Sequence, residues 1–189
     1  MNIIAFVDSC SESGESALFA KLAFNELNKE NHITEMVFVG KNPPLHCTGC
    51  DKCLKNGICV ENDSVNEWKK KLEEADGFII TGEIRDSGLC SMMYGLLERF
   101  AQMGRATPDF LTGKIGGLGV IGTRDGGMKA VFDIVSFFQH SNAILVWPAY
   151  WPFTWKDSEA KESFEKCDPE GVFLAGDLGR QMCWALSHS

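Results

Sequence analysis

Four cysteines lie within thirteen residues of this chain, and their spacing is typical of a metal-binding loop. Cys47, Cys50, Cys53 and Cys59 form the pattern C-x2-C-x2-C-x5-C. Thiolates packed so closely along a chain can converge on one point only if the backbone loops around a bound group. The C-x2-C-x2-C core is the spacing that places three cysteines around an iron–sulfur cube, and a fourth cysteine slightly downstream completes the set. The pattern therefore predicts a [4Fe–4S] cluster held by these four cysteines.

Two other interpretations of the cysteine run stay open. Zinc sites built from four cysteines more often use two separated C-x2-C pairs, so the spacing favours iron–sulfur over zinc. A reduced loop that holds no metal is compatible with the same residues. His46, next to Cys47, could replace one ligand, although the four histidines of the chain show no metal-ligand spacing.

A second group of residues with chemical potential is the hydroxyl-rich segment from Asp8 to Ser16. It contains Ser9, Ser11, Ser13, Gly14 and Ser16, and it joins an apolar run to a helical pattern. Backbone N–H groups at a helix start, together with serine hydroxyls, form a site for a phosphate dianion. The segment is not a Walker loop, because it lacks G-K-[ST]. The alternative is a serine-capped helix without a ligand.

Two further loops combine glycine with polar residues, at positions 82–88 and 122–127. Small residues let a flat cofactor approach the backbone, whose N–H groups can meet the polar edge of the ring. Arg85 would place a cation near a reduced, anionic ring. These loops therefore favour contact with a planar cofactor, and ordinary surface turns are the alternative.

The elements that would position these loops alternate between strands and helices. The apolar runs predict five buried strands, at Ile3–Val7, Ile33–Val39, Gly77–Thr81, Ile115–Ile121 and Ala143–Trp147. Helical spacing covers 13–28, a helix N-capped by Asp63, and the segments 91–103, 127–140 and 169–186. Such alternation predicts an α/β fold, specifically a flavodoxin-like three-layer αβα sandwich with a five-stranded parallel sheet in the order 2-1-3-4-5. Ligands of such sheets bind at the carboxyl ends of the strands, where the three loops lie.

Length and composition limit the possible classes of function. The 189 residues predict one domain over 1–189, with a cysteine-rich loop at 43–62 and a C-terminal extension and helix at 149–189. A net charge of −8 without a basic stripe argues against a nucleic-acid partner. The chain shows no export signal and no apolar run of about eighteen residues, so we expect a cytoplasmic protein with reduced cysteines and no membrane contact. Residues 147–155 are unusually aromatic and lie outside any strand or helix period, which favours a subunit interface or a lid over a flat ligand.

In this order the motifs resemble the NADPH-dependent FMN reductase superfamily. They are the serine-rich loop, the C-x-G-C-x-x-C segment, the ADGFII strand, the G-x-x-x-G-G loop and the terminal LGRQMCWAL helix. Within that superfamily the cysteine run and the following Glu61-Asn62-Asp63 are most similar to the iron–sulfur flavoprotein branch. Two loops depart from the usual pattern: Asp8-Ser9-Cys10-Ser11 stands where Gly-Ser-Pro-Arg is common, and Glu83 to Ser87 lacks the usual aromatic residue.

The resemblance implies a set of roles for these residues. The FMN phosphate would be held by Ser9, Ser11, Ser13, Gly14 and Ser16. The isoalloxazine ring would be held by Glu83, Ile84, Arg85, Ser87, Gly88, Thr123, Arg124, Asp125 and Gly126. A [4Fe–4S] cluster would lie near the flavin, and the chain would assemble as a homodimer or homotetramer.

The implied function is that of an FMN-dependent oxidoreductase, with NAD(P)H or ferredoxin as donor and with small-molecule or protein electron partners. One alternative is a cluster-free NAD(P)H:FMN or quinone reductase. An alternative of another class is a non-catalytic flavodoxin-like assembly module, whose cysteine loop holds zinc or nothing.

Overall fold

The computed structural model describes residues 1–107, 109–123, 125–157, 159 and 161–189. The strands are β1 (Asn2–Val7), β2 (Ile33–Phe38), β3 (Gly77–Arg85), β4 (Gly88–Leu89), β5 (Ile115–Gly122), β6 (Ile144–Leu145) and β7 (Phe153–Trp155). The helices are α1 (Glu15–Lys29), α2 (Val65–Glu74), α3 (Ser91–Gly104), α4 (Gly127–Ser141), α5 (Phe164–Cys167) and α6 (Pro169–Leu186). Short 3-10 turns cover Val39–Lys41 and Lys52–Lys55.

The strands form one mostly parallel sheet whose path is β2-β1-β3-β5-β6. The strands β5 and β6 correspond to the fourth and fifth predicted strands, because the short β4 lies off this path. The five predicted strands therefore have the predicted order 2-1-3-4-5, and the flavodoxin-like α/β class is confirmed. The predicted number of strands was wrong, because β4 pairs antiparallel with β3, and β7 pairs with β5. Val7 is paired with Thr81, and Glu83 is paired with Ile121. The carboxyl ends of β1, β3 and β5 are therefore neighbours.

Strand β3 extends four residues beyond its predicted end at Thr81. It turns back into β4 through Asp86 and Ser87, whose φ angles of 47° and 61° are left-handed. Two consecutive left-handed residues match the right-handed twist of a tight antiparallel hairpin, so the two chain segments can pair. Glu83, Ile84 and Arg85 are consequently strand residues rather than loop residues.

The fifth predicted strand, Ala143–Trp147, is reduced to the two residues of β6. Pro148 follows closely and has no N–H to donate to a sheet ladder, which limits the pairing. The place beside β5 is completed by β7, because the N–H of Val120 donates to the carbonyl of Pro152 at 2.8 Å. The expectation that residues 147–155 lie outside any strand was therefore wrong for Phe153–Trp155.

Helices cover both faces of the sheet and enclose two apolar cores. One core lies between the sheet and helices α1 and α6. The other lies between the sheet and helices α2, α3 and α4, and its centre includes Phe78 stacked on Phe138 with ring centroids 4.9 Å apart. This arrangement is the predicted three-layer sandwich. Within the part of the chain that the structure describes, no helix has the length and apolarity needed to cross a bilayer.

Candidate functional site

The three loops singled out in the sequence meet at the carboxyl rim of the sheet. The carboxylate Oδ2 of Asp8 accepts the N–H of Glu83 at 2.8 Å, which joins the first loop to the second. The hydroxyl of Ser87 donates to Asp125 Oδ2 at 2.7 Å, which joins the second loop to the third. The described residues of 8–16, 82–88 and 122–127 are therefore neighbours at this edge of the sheet, which we call the rim.

In the first loop the serines divide into an inner pair and an outer pair. Ser9 and Ser16 are buried, and their hydroxyl oxygens lie 2.6 Å apart. Ser11 and Ser13 are exposed, with hydroxyl oxygens 3.1 Å apart. Helix α1 starts directly after Gly14, which makes no side-chain capping hydrogen bond. One N–H of the first turn, that of Ala17, donates to the Ser9 hydroxyl at 3.4 Å. The helix start still presents N–H groups to an anion, so the first loop fits a phosphate.

The nearby carboxylate of Glu15 points away from this helix start. Its Oε2 atom accepts the hydroxyl of Ser163 at 3.0 Å and the N–H of Phe164 at 3.2 Å. Ser163 and Phe164 of the C-terminal segment thus bind the Glu15 carboxylate. Without these hydrogen bonds its negative charge would repel a phosphate at the first turn of α1.

Asp8 is a residue of the rim whose role the sequence did not reveal. It is only 9% exposed, and besides the N–H of Glu83 its Oδ2 accepts the thiol of Cys90 at 3.1 Å. Burial raises the pKa of Cys90, and the charge of Asp8 raises this pKa further, so the thiol keeps its proton and acts as the donor. The other oxygen, Oδ1, is buried without a hydrogen-bond partner among the described residues. The one indication of this role in the sequence was that Asp8 stands where similar sequences commonly have Gly.

We expect Asp8→Ala to lower the free energy of unfolding by about 1–3 kcal/mol, because it leaves two buried donors without an acceptor. Asp8→Asn retains one acceptor oxygen and should cost clearly less. Urea denaturation of both variants measures the difference. Equal costs for the two variants would contradict the role of Asp8 as the acceptor that joins the first and second loops.

The C-terminal segment also fixes the second and third loops. Lys156 forms an ion pair with Glu83, and its N–H donates to the carbonyl of Gly122 at 2.9 Å. Arg85 lies 3.3 Å from the same Glu83 carboxylate, and its side chain is 66% exposed. Both cations therefore neutralise Glu83 beside the predicted ring position. The sequence did not single out Lys156, because it stands in a charged tail far along the chain from this strand.

The third loop approaches the second so closely that its glycine is required. Gly126 has a φ of +74°, and a Cβ atom there would stand 2.6 Å from the Cα atom of Ser87. Thr123 and Asp125 are exposed on the same turn, and Ser87 and Gly88 lie opposite them in the hairpin. Arg124, which was assigned to the ring as well, lies outside the described residues. The described rim thus brings predicted residues of all three loops together.

The four cysteines line one cavity with a volume of about 500 Å³. Helix α3 contributes Glu98, Gln102 and Arg105 to the wall of this cavity. All four thiols are free. Burial raises the pKa of Cys53, and the neighbouring thiols of the loop add to this effect. The loop therefore gathers the predicted sulfur donors around one space.

The donor set fits a thiolate-bound metal group, but a finished ligand shell is not present. Within the described ranges, no three His, Cys, Asp or Glu side chains are placed to hold a metal ion. Metal sites commonly acquire their final geometry only when the metal binds, since binding is coupled to folding of the loop. The structure accordingly shows one cavity that the four thiols share, in a geometry that precedes metal binding.

The cysteine loop is fastened at three places. Asn66 makes two hydrogen bonds of 2.9 Å with the backbone of Cys59. Asp63, predicted as an N-cap, lies one residue before the actual N-cap Ser64, and its Oδ1 atom accepts the N–H of Val65 at 3.2 Å. Asp63 also pairs with the buried guanidinium of Arg99.

Sequence reasoning missed Arg99 completely. The available signal was its position on the apolar stripe of α3, three residues after the buried Leu96 and next to the buried Phe100. A charged residue on such a stripe needs a buried partner, and Asp63 is that partner.

Comparisons with known proteins agree with this architecture. A family model described as NADPH-dependent FMN reductase matches residues 1–156. An iron-sulfur flavoprotein of Methanocaldococcus jannaschii is 28% identical over 77% of this chain and 76% of its own length. An iron-sulfur flavoprotein of Archaeoglobus fulgidus is 27% identical over 62% of this chain, and the match spans 52% of that protein. A solved structure titled flavone reductase superposes with a TM-score of 0.73 at 14% identity, over 99% of this chain and 63% of that one.

Proposed function

Because the chain belongs to the NADPH-dependent FMN reductase family, we propose that it is an FMN-dependent oxidoreductase with a [4Fe–4S] cluster as a second redox centre. Its electron donor would be NAD(P)H or ferredoxin, and its acceptor a small molecule or a protein. The single observation that carries this proposal is the meeting of the three loops at the carboxyl edge of the sheet, where they are joined by Asp8 and by Ser87.

Different residues of the rim would bind the phosphate and the ring of FMN. The phosphate would lie at the start of α1, against the exposed hydroxyls of Ser11 and Ser13, with Ser9, Gly14 and Ser16 shaping the loop beneath. The ring would lie against the hairpin from Glu83 to Gly88 and the turn from Thr123 to Gly126. Lys156 and Arg85 neutralise Glu83 there, so the acidic side chain does not oppose an anionic ring.

Cys47, Cys50, Cys53 and Cys59 would hold the cluster. Bound FMN supplies two-electron chemistry and a bound cluster supplies one-electron chemistry, while the protein positions and tunes both. Support comes from the four free thiols around one cavity and from the two relatives named iron-sulfur flavoprotein. Assembly as a homodimer or homotetramer stays a prediction from the family resemblance.

The test is a visible spectrum of freshly purified, anaerobic protein, followed by extraction of flavin and analysis of metal. We expect about one FMN and four iron atoms per chain, with flavin absorption in the blue and a broad brown shoulder. The quadruple variant with serine at all four cysteines serves as the control: it should lose the shoulder and the iron but keep the flavin, because no described residue of the rim lines the cysteine cavity.

Other results would single out the alternatives. A yellow protein with FMN and no iron, even after reconstitution with iron and sulfide, would indicate the cluster-free reductase. Zinc in stoichiometric amount without flavin would indicate the assembly module. A colourless protein that does not bind added FMN would overturn the oxidoreductase proposal as a whole.

A further inference from the structure

We propose that Arg99 is a positioning residue for the cysteine loop, because it fastens both ends of the loop at one point. This inference rests on the proposed function, since it concerns the residues that would hold the cluster.

The fastening is visible in the hydrogen bonds around the guanidinium. Arg99 is 1% exposed, and its Nη1 atom donates to the carbonyl of Leu45 at 3.1 Å and also to Asp63. Its Nη2 atom donates to Asp63 Oδ1 at 3.0 Å. The N–H of Leu45 donates to Asp63 Oδ2 at 2.9 Å. One side chain of α3 thus holds together residues 45 and 63, which flank the whole cysteine run.

The guanidinium is buried as an ion pair. Asp63 accepts from both Nη atoms, so one carboxylate neutralises the charge and fixes its direction. The Nε–H of Arg99 is buried and has no acceptor among the described residues. The side chain therefore holds residues 45 and 63 from a fixed position on α3.

Closing the ends of a loop in advance lowers the entropy that is lost when its cysteines gather around a metal group. We infer that Arg99 makes the cysteine loop easier to assemble around a metal group.

The position of Arg99 in the core supports a role beyond stability. A buried ion pair is often no more stabilising than apolar residues of similar volume, and its neighbours on α3 are apolar. Replacing the pair by Arg99→Met with Asp63→Leu should therefore leave the protein folded while it removes the bonds that hold residues 45 and 63 together. This double variant separates the positioning of the loop from the stability of the core.

The experiment uses the full chain and two probes. The protein freed of metal is titrated with Cd²⁺, and the thiolate-to-metal absorption in the ultraviolet is followed. The same protein is then reconstituted anaerobically with Fe²⁺ and sulfide, and the iron content is measured. We expect the double variant to bind Cd²⁺ about 10- to 100-fold more weakly, as is typical when a residue supporting metal ligands is lost. Its iron content after reconstitution should fall too, because the ends of the loop are no longer held together.

The matched control is Arg105→Met, which removes an exposed arginine from the same helix and the same cavity wall. It should bind Cd²⁺ within about twofold of the wild type, because exposed charges are screened. Arg99→Lys keeps the ion pair without the two-pronged geometry and should recover only part of the Cd²⁺ affinity.

The outcomes separate this inference from the function on which it rests. A folded double variant with wild-type Cd²⁺ affinity and wild-type iron content would overturn the role of Arg99 alone. Wild-type protein that takes up neither Cd²⁺ nor iron would overturn the cluster assignment, and with it this inference. Weaker binding in the double variant, together with a near-normal Arg105→Met, would support it.

Discussion

Replacing Asp63 by alanine is expected to lower the free energy of unfolding by about 3–5 kcal/mol, because it leaves the guanidinium of Arg99 buried without a counter-charge. The substitution also removes the acceptor for the N–H groups of Leu45 and Val65. Urea denaturation followed by circular dichroism measures the loss. The cysteine loop should also become the first site of proteolytic cleavage, because one end of it is released.

A matched control is Glu74→Ala, which removes a carboxylate from an exposed pair with Lys70 on α2. Surface pairs of this kind contribute about 0–1 kcal/mol. Equal losses for Asp63→Ala and Glu74→Ala would contradict the buried pairing. In the double variant Arg99→Met with Asp63→Leu the loss should be largely recovered, since no charge then stays buried.

The pH dependence of the two proteins gives a second readout of the same pair. Burial raises the pKa of Asp63, but the hydrogen bonds from Arg99 and the backbone lower it more, so the pKa lies below its ordinary value. A lowered folded-state pKa contributes stability above the unfolded pKa of about 4, and this contribution is lost as the pH falls through the folded value. Wild-type protein should therefore lose stability on acidification below about pH 4 more steeply than Asp63→Ala.

Gly126→Ala is expected to weaken FMN binding by more than about tenfold and to cost about 2–4 kcal/mol of stability. A left-handed conformation alone costs a non-glycine residue about 1–2 kcal/mol. Here the new Cβ atom would also press on the backbone of Ser87, which cannot move aside as a side chain would. The hairpin of the second loop would therefore be displaced from the third loop, and the predicted ring position would be distorted.

The chain offers a control with the same strain and no clash. Gly113 has a φ of +79°, and a Cβ atom there would meet nothing within 4 Å. Gly113→Ala should show only the conformational cost and normal FMN affinity, measured by quenching of flavin fluorescence. If Gly126→Ala and Gly113→Ala behave alike in both assays, the close approach of the two loops does not shape the flavin site.

The sequence predicted the parts of the fold that depend on local pattern. Apolar runs located the strands beneath the rim, and helix α6 has the predicted bounds, because Pro169 at its first turn marks the start. The short strands β4 and β7 were missed because their pairing depends on a left-handed turn at Asp86 and Ser87 and on distant partners in β5. Local composition does not encode such contacts.

The same distinction applies to the candidate site. The serines and glycines of the rim, and the four cysteines, were found because their types and spacing are informative. Asp8, Arg99 and Lys156 were missed because each acts on a residue more than thirty positions away in the chain. A buried charge becomes recognisable only when the fold shows what stands opposite to it.

Arg99 holds Leu45 and Asp63 together, and this has a consequence for how proteins of this family can evolve. Since the two points are already held together, the residues between them form a self-contained insert whose length adds little entropic cost. Natural or engineered sequences could therefore exchange this insert, or shorten it to a plain turn, without shifting the neighbouring strands. A metal group held by this insert, as proposed above, could be gained or lost with the insert while the rim is kept.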